Sequence, residues 1–157
     1  MPIVYAVVGG LVVLAGVFVV GMRMQWAPVT TAVRRMNKRF MNPRQMRTAG
    51  QPGAYAGIVR HVGRSSGAAY ETPVGIEETP DGFVVALPYG TTADWLKNVL
   101  AAGSAELVRD GATHGVDRPR VVGPDEALEY FPEGEQRTFR TMHVDEFLLL
   151  RRVEAQG

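Results

Sequence analysis

The run Gly63-Arg64-Ser65-Ser66-Gly67 is where this sequence can hold an anion. Two glycines permit positive φ and close backbone approach, so several N–H groups can converge on one negative charge. Arg64 adds a bidentate charged donor, and Ser65 and Ser66 add hydroxyls. A second element follows: Pro88-Tyr89-Gly90 leads into a helix that carries Trp95, Lys97 and Asn98. A helix start presents N–H groups without intrahelical partners, which also favours an anion. Tyr89 can stack on a flat ring or fill the mouth of a barrel; Trp95 reads as packing. Taken alone, the glycine-flanked turn reads first as a plain hairpin loop with an exposed arginine. A basic turn and a helix start facing each other across a sheet make a cradle for a flat, phosphate-bearing ligand.

Other chemistries are poorly served. The chain has no cysteine, which excludes disulfides and thiolate metal sites. His61, His114 and His143 lack ligand spacing, so no metal is expected. There is no G-x-S-x-G elbow, and Ser65-Ser66 near His61 have no evident carboxylate to orient a triad. The neighbouring acids Glu77-Glu78 and Asp125-Glu126 point apart on a strand or helix and read as solvated faces.

The two motifs in order, GRSSGAAYETPV and DGFVVALPYGTTADWLKNVLAAG, resemble the deazaflavin-dependent nitroreductase family of actinobacteria. The likeness runs over residues 29–153 and is densest over 57–103. It implies a mainly β (α+β) chain with a split β-barrel, FMN-binding-like, that takes the 8-hydroxy-5-deazaflavin coenzyme F-420. By position it implies that Arg64, Ser65 and Ser66 hold the coenzyme's phosphate and acidic tail. Tyr70, Thr72, Pro73 and Val74 would run along the ring system. Leu87, Pro88, Tyr89 and Gly90 would supply the facing strand end, and Trp95, Lys97 and Asn98 the helix. Family members often carry Lys or Arg where this chain has Ser65. Tyr130 is the candidate for the family's substrate-side tyrosines, and so for a catalytic residue. The implied activity is hydride transfer from reduced coenzyme to a quinone or nitro-type acceptor, and the membrane anchor read below points to a lipophilic quinone such as menaquinone. The same barrel permits an FMN or haem cofactor, or a non-catalytic cofactor-binding or interaction module. Barrels of this resemblance are often homodimers.

The elements that must position these residues can be read from pattern. Six β-prone runs, over 55–62, 70–79, 82–89, 104–110, 113–122 and 143–153, lie between turn signals such as Thr79-Pro80-Asp81-Gly82 and Asp110-Gly111. Close spacing of short strands predicts an antiparallel barrel or sandwich. Two helices interrupt them, over 92–102, opened by a Thr91-x-x-Asp94 capping box and closed at Gly103, and over 124–131, closed before Pro132.

The amino-terminal part is different in kind. Residues 3–22 carry no charge, and ~20 apolar residues suffice to cross a bilayer as a helix. The chain of 157 residues has a net charge of only +1, yet residues 1–70 hold nine Lys/Arg and no acid, while the rest hold eight and all sixteen Asp/Glu. These features predict a transmembrane anchor over 1–28, single-pass in the cell membrane with the carboxy-terminal part cytoplasmic. Residues 29–53 then form a basic amphipathic helix and linker, with Val29, Val33, Met36 and Phe40 on one face, laid on an anionic lipid membrane or packed on the domain. Residues 54–157 form the cofactor-binding barrel. No nucleic-acid recognition motif accompanies the arginines, so nucleic acid is not an expected partner.

Overall fold

The computed structural model describes residues 2–24, 26–36 and 42–153. The far end of the predicted basic helix, including Phe40, and the tail from Glu154 lie outside the described residues.

Six antiparallel strands close into a barrel: β1 (Ala56–Val62), β2 (Ala69–Thr79), β3 (Gly82–Ala86), β4 (Ser104–Arg109), β5 (Ala112–Val122) and β6 (Phe147–Arg152), in spatial order β1-β2-β3-β6-β5-β4. Two tight turns, at Thr79–Gly82 and Arg109–Ala112, fix the β2–β3 and β4–β5 registers, as their Asp-Gly dipeptides predict. The ring closes where β1 meets β4, over the pairs Ile58–Val108, Val59–Leu107 and Arg60–Glu106. Strand alternation then sorts the side chains. Val59, Ile76, Phe83, Val85, Leu107, Val116, Leu148 and Leu150 fill the interior.

The helices serve the barrel's two surfaces. Helix α4 (Asp94–Ala102) follows a 3-10 turn at Gly90–Thr92 and drives Leu96 and Val99 into the interior cluster. It ends at Gly103, which adopts φ 71 and bonds back to the Val99 carbonyl. Helices α5 (Pro124–Ala127) and α6 (Glu133–Met142) cover the outside of β3 and β6, where Val84, Phe147, Phe131, Ala127 and Val144 form a second cluster. The rings of Phe131, Phe139 and Phe147 meet there at centroid distances of 5.0, 5.6 and 5.8 Å, and such ring pairs add to the burial itself. Covered on both faces, β3 is the near-continuous apolar run Gly-Phe-Val-Val-Ala.

Two local expectations need correcting. The residue that caps α4 is Ala93, which makes no side-chain cap, so Thr91 and Asp94 do not form a capping box. Asp94 sits in the first turn, where its side chain is taken by Arg64. Helix α6 was not foreseen, because Pro132 was read as a stop when it serves as an N-cap.

Among the described residues, the amino-terminal region holds three helices: α1 (Pro2–Arg23), α2 (Ala27–Met36) and α3 (Asn42–Gln45). The expectation of a transmembrane anchor, and with it a single-pass protein facing the cytoplasm, is overturned. Among the described residues no helix is long and apolar enough to cross a membrane. The far end of α1 is engaged by protein. Gly21 is buried against Val29 of α2, and Arg23 donates to His143 Nε2 at the end of α6, at 2.8 Å.

Candidate functional site

The turn between β1 and β2 is shaped by its two glycines. Gly67 adopts φ 67, and a side chain on Gly63 would run into the Ser66 hydroxyl and the Tyr70 ring. Ser66 Oγ lies 3.2 Å from the Tyr70 hydroxyl and accepts from the Ala68 amide at 3.3 Å. Register fixes what stands next to the turn. Tyr70 pairs with His61 and Thr72 with Val59, so His61, Tyr70 and Thr72 share the face of β1 and β2 that points inward. The rings of His61 and Tyr70 stack at 5.7 Å and 21°. Arg60 and Glu71 take the other face, paired at 2.8 Å.

Helix α4 comes up against this turn and locks it. The Arg64 amide and its Nη1 both donate to Asn98 Oδ1, at 3.2 and 2.8 Å. Nη1 also donates to the Asp94 carbonyl at 3.4 Å, and Nη2 to the Asp94 carboxylate at 3.1 Å. Asp94 and Asn98 are one helical turn apart and so present to the same side. Among the described residues, the Arg64 Nε–H and one Nη2–H stay available to a ligand. Asn98 itself is buried, and its amide nitrogen reaches His61 Nδ1 at 3.2 Å. His61 Nε2 in turn lies 3.2 Å from Thr72 Oγ1. Burial lowers the His61 pKa from its ordinary value.

The residues singled out in the sequence therefore divide. Arg64, Ser66, Tyr70, Thr72 and Asn98 are drawn into one constellation, with Ser65 exposed on the same turn. Lys97 is exposed on α4 beside Asn98. Val74, Leu87 and Trp95 belong to the interior core or pack against it. Pro73 falls on the opposite face from Thr72 and Val74 and is buried. Gly90 carries φ 68 and bonds back to Leu87, turning the chain from β3 towards α4, with Tyr89 at the turn's start. Pro88 lines a separate recess of about 100 Å³ with Tyr55, Glu77, Phe131, Glu135 and Phe139. Tyr130, half-buried on the 3-10 turn Leu128–Tyr130 between α5 and α6, packs against the second cluster. An open depression of about 490 Å³ lies between α5 and α6, bordered by Asp125, Leu128, Gln136 and Arg140, and none of the residues singled out lines it.

Two members of the constellation were missed. Asp94 was read as a helix cap, although its four-residue spacing from Asn98 places both on one helix face. His61 was weighed as a metal ligand and as the base of a hydrolase; its partners become visible only once the β1–β2 register is known.

As a receptor the site has a defined donor set: a guanidinium with two free N–H groups, an exposed serine hydroxyl, a neighbouring ammonium and an aromatic ring half open to solvent. That set fits a phosphate joined to a flat ring. Asp94 works against it, because an anion must share Arg64 with a carboxylate.

No family model and no curated protein matches the chain. Among solved structures, it is similar to an F420 reductase (9% identity, 69% of this chain and 92% of that one, TM-score 0.48). It is also similar to HutZ, the heme storage protein of Vibrio cholerae (10% identity, 64% and 83%, TM-score 0.44). A third similar structure is Atu2129 of Agrobacterium tumefaciens, of unknown function (14% identity, TM-score 0.44); 66% of this chain aligns, over about half of that one, 49%. Likenesses of this size place the chain in no family and say nothing of its activity.

Proposed function

We propose that the chain is an oxidoreductase that binds a phosphate-bearing redox cofactor at the β1–β2 turn, coenzyme F-420 first and FMN as the alternative. The observation that carries this reading is the lock between Arg64 and α4, which holds a basic turn beside the stacked ring of Tyr70. The sequence resemblance supports the choice of a deazaflavin. When bound, that coenzyme supplies a hydride from a ring carbon. The protein's part is to bind and to orient. Arg64 and Ser65 take the phosphate, the open face of Tyr70 takes the ring, and positioning against the acceptor does the catalytic work. The acceptor is a nitro-type compound or a quinone. The preference for a lipophilic quinone rested on a membrane anchor and is not carried forward.

The test is titration of the full chain with coenzyme F-420, followed by coenzyme absorbance and by tryptophan fluorescence, to which Trp95, packed against the interior core, and the exposed Trp26 both contribute. Saturable binding is expected, and Arg64→Ala weakens it by about 1–3 kcal/mol, the cost of losing a charged hydrogen-bond partner. Asp94→Asn acts in the opposite direction, tightening binding by removing the competing carboxylate. Binding of FMN alone moves the cofactor assignment. Binding of neither ends the reading.

One observation favours a second reading, a module that binds the coenzyme without turnover. Tyr130, the candidate catalytic residue, packs against the cluster under α5 and α6, whereas Trp95 packs against the interior one. Binding with no reduction of nitro-compounds or quinones would select it.

A further inference from the structure

The hydrogen bonds at the β1–β2 turn have only one consistent polarity. Arg64 can only donate, through its amide and through Nη1, and both bonds end on one atom of Asn98. That atom must be the oxygen. The Asn98 amide nitrogen is then the group that faces His61 Nδ1, at 3.2 Å. A nitrogen that carries hydrogens can only donate, so Nδ1 of His61 must be bare. The ring's proton therefore sits on Nε2, where it donates to Thr72 Oγ1. Every bond from Thr72 to Arg64 is set by one neutral tautomer of one buried histidine.

We propose that His61 is the positioning residue that holds Arg64 against α4, and that a second proton on its ring releases the turn. A proton on Nδ1 would set two donors face to face. Relief comes in one of two ways. The Asn98 amide turns over and presents its NH2 group to Arg64, which loses both bonds to Oδ1. Otherwise Asn98 leaves His61 and the helix contact opens. In either case Arg64 keeps only Asp94, whose side chain is largely exposed.

Among the described residues, no carboxylate pairs with His61. From β2 it meets Tyr70 and Thr72; from the turn, Arg64; from α4, Asn98, with Asp94 engaged by Arg64 and Lys97 exposed. Arg60, Glu71 and Glu106 sit on the other face of β1. The inference deepens the reading of the turn as an anion cradle by making the cradle available only while His61 is neutral.

The experiment is nitrogen-resolved NMR of the full chain across pH. The His61 ring at neutral pH must show the Nε2–H tautomer; the Nδ1–H tautomer overturns the proposal. As His61 titrates, the backbone amide resonance of Arg64 must move with the same midpoint. A His61 titration to which Arg64 does not respond also overturns it. The variant Asn98→Asp supplies an acceptor to both neighbours at once. It should raise the proton affinity of His61 at least tenfold while Arg64 stays bound, so that the Arg64 amide ceases to follow His61. An unchanged His61 in that variant refutes the relay. These readouts need no ligand, so they stand apart from whether coenzyme F-420 binds. Where it does bind, its affinity should fall below the His61 midpoint in the wild type and hold steady in Asn98→Asp.

Discussion

At the scale of single residues, a few side chains sit where solvent alone would not put them. Glu135 borders the recess of Tyr55, Phe131 and Phe139, and its pKa is raised above 4.5, first by burial and then by the nearby Glu77. Glu77 itself is engaged by Arg109, at 3.4 Å, and Arg109 also reaches the Asp110 carboxylate, at 3.5 Å. The sign of the effect on stability follows from proton counting. Between 4.5 and its raised value the folded chain holds a proton on Glu135 that the unfolded chain has released. Stability from this group is therefore full below 4.5 and declines as pH rises through the window. Glu135→Gln removes the decline: thermal unfolding should show a higher midpoint than wild type at pH 7 and little difference near pH 4. A lower midpoint at pH 7 would mean that Glu135 has a stabilising partner. The same reasoning shows why residue chemistry was only half legible in the sequence. Arg64 could be picked out because glycines mark its turn. His61 could not, since nothing in the string His-Val-Gly says that Thr72 and Asn98 will flank its ring.

At the scale of elements, β6 shows how one strand serves two cores. Leu148 and Leu150 enter the barrel, while Phe147 and Leu149 face α5 and α6. Phe147 is fully buried and touches the rings of both Phe131 and Phe139. Phe147→Ala should cost about 3–5 kcal/mol in denaturant unfolding, the usual range for a large cavity in a core. A cost under ~1 kcal/mol, the size of a surface substitution, would show that α6 does not depend on that cluster. All six strands could be read in advance because alternation and Asp-Gly turns are local signals. The start of β6 was set too early, at 143 instead of Phe147, since His143 to Glu146 carry the end of α6 and the connection that follows. Helix α6 was not read, although its charges carry a helix signal: Glu133 and Glu135 stand in its first turn and Arg140 in its last, the charge order that a helix dipole favours. Pro132 hid it, because proline more often ends a helix than precedes one.

At the scale of the whole molecule, each strand is hydrogen-bonded to two neighbours, but not equally. β1 pairs with β2 along its whole length, from Ala56–Gly75 to Val62–Ala69, while the closure between β1 and β4 covers only Ile58 to Arg60. Local opening draws on the least supported contacts first. In native-state hydrogen exchange, amides of the β1–β4 closure should therefore lose protection ahead of those shared by β3 and β6. Uniform protection around the ring would show that closure is as strong as the other ladders. The charge asymmetry of the chain was legible in the sequence, but its meaning was not. A long apolar run beside a basic one suggested a span, whereas the contacts of Gly21 and Arg23 join the end of α1 to α2 and α6.

The short closure has a consequence for the protein's life in a crowded solution. A complete ring offers no unpaired strand to a passing chain, so it cannot template the growth of an intermolecular sheet. Were the β1–β4 seam to part, two edges would appear at once, one rich in Ile58 and Val59 and the other in Leu107 and Val108. Those few hydrogen bonds are thus the latch between a self-contained fold and a sticky one, and the salt bridge of Arg60 to Glu106 places charge directly across that latch.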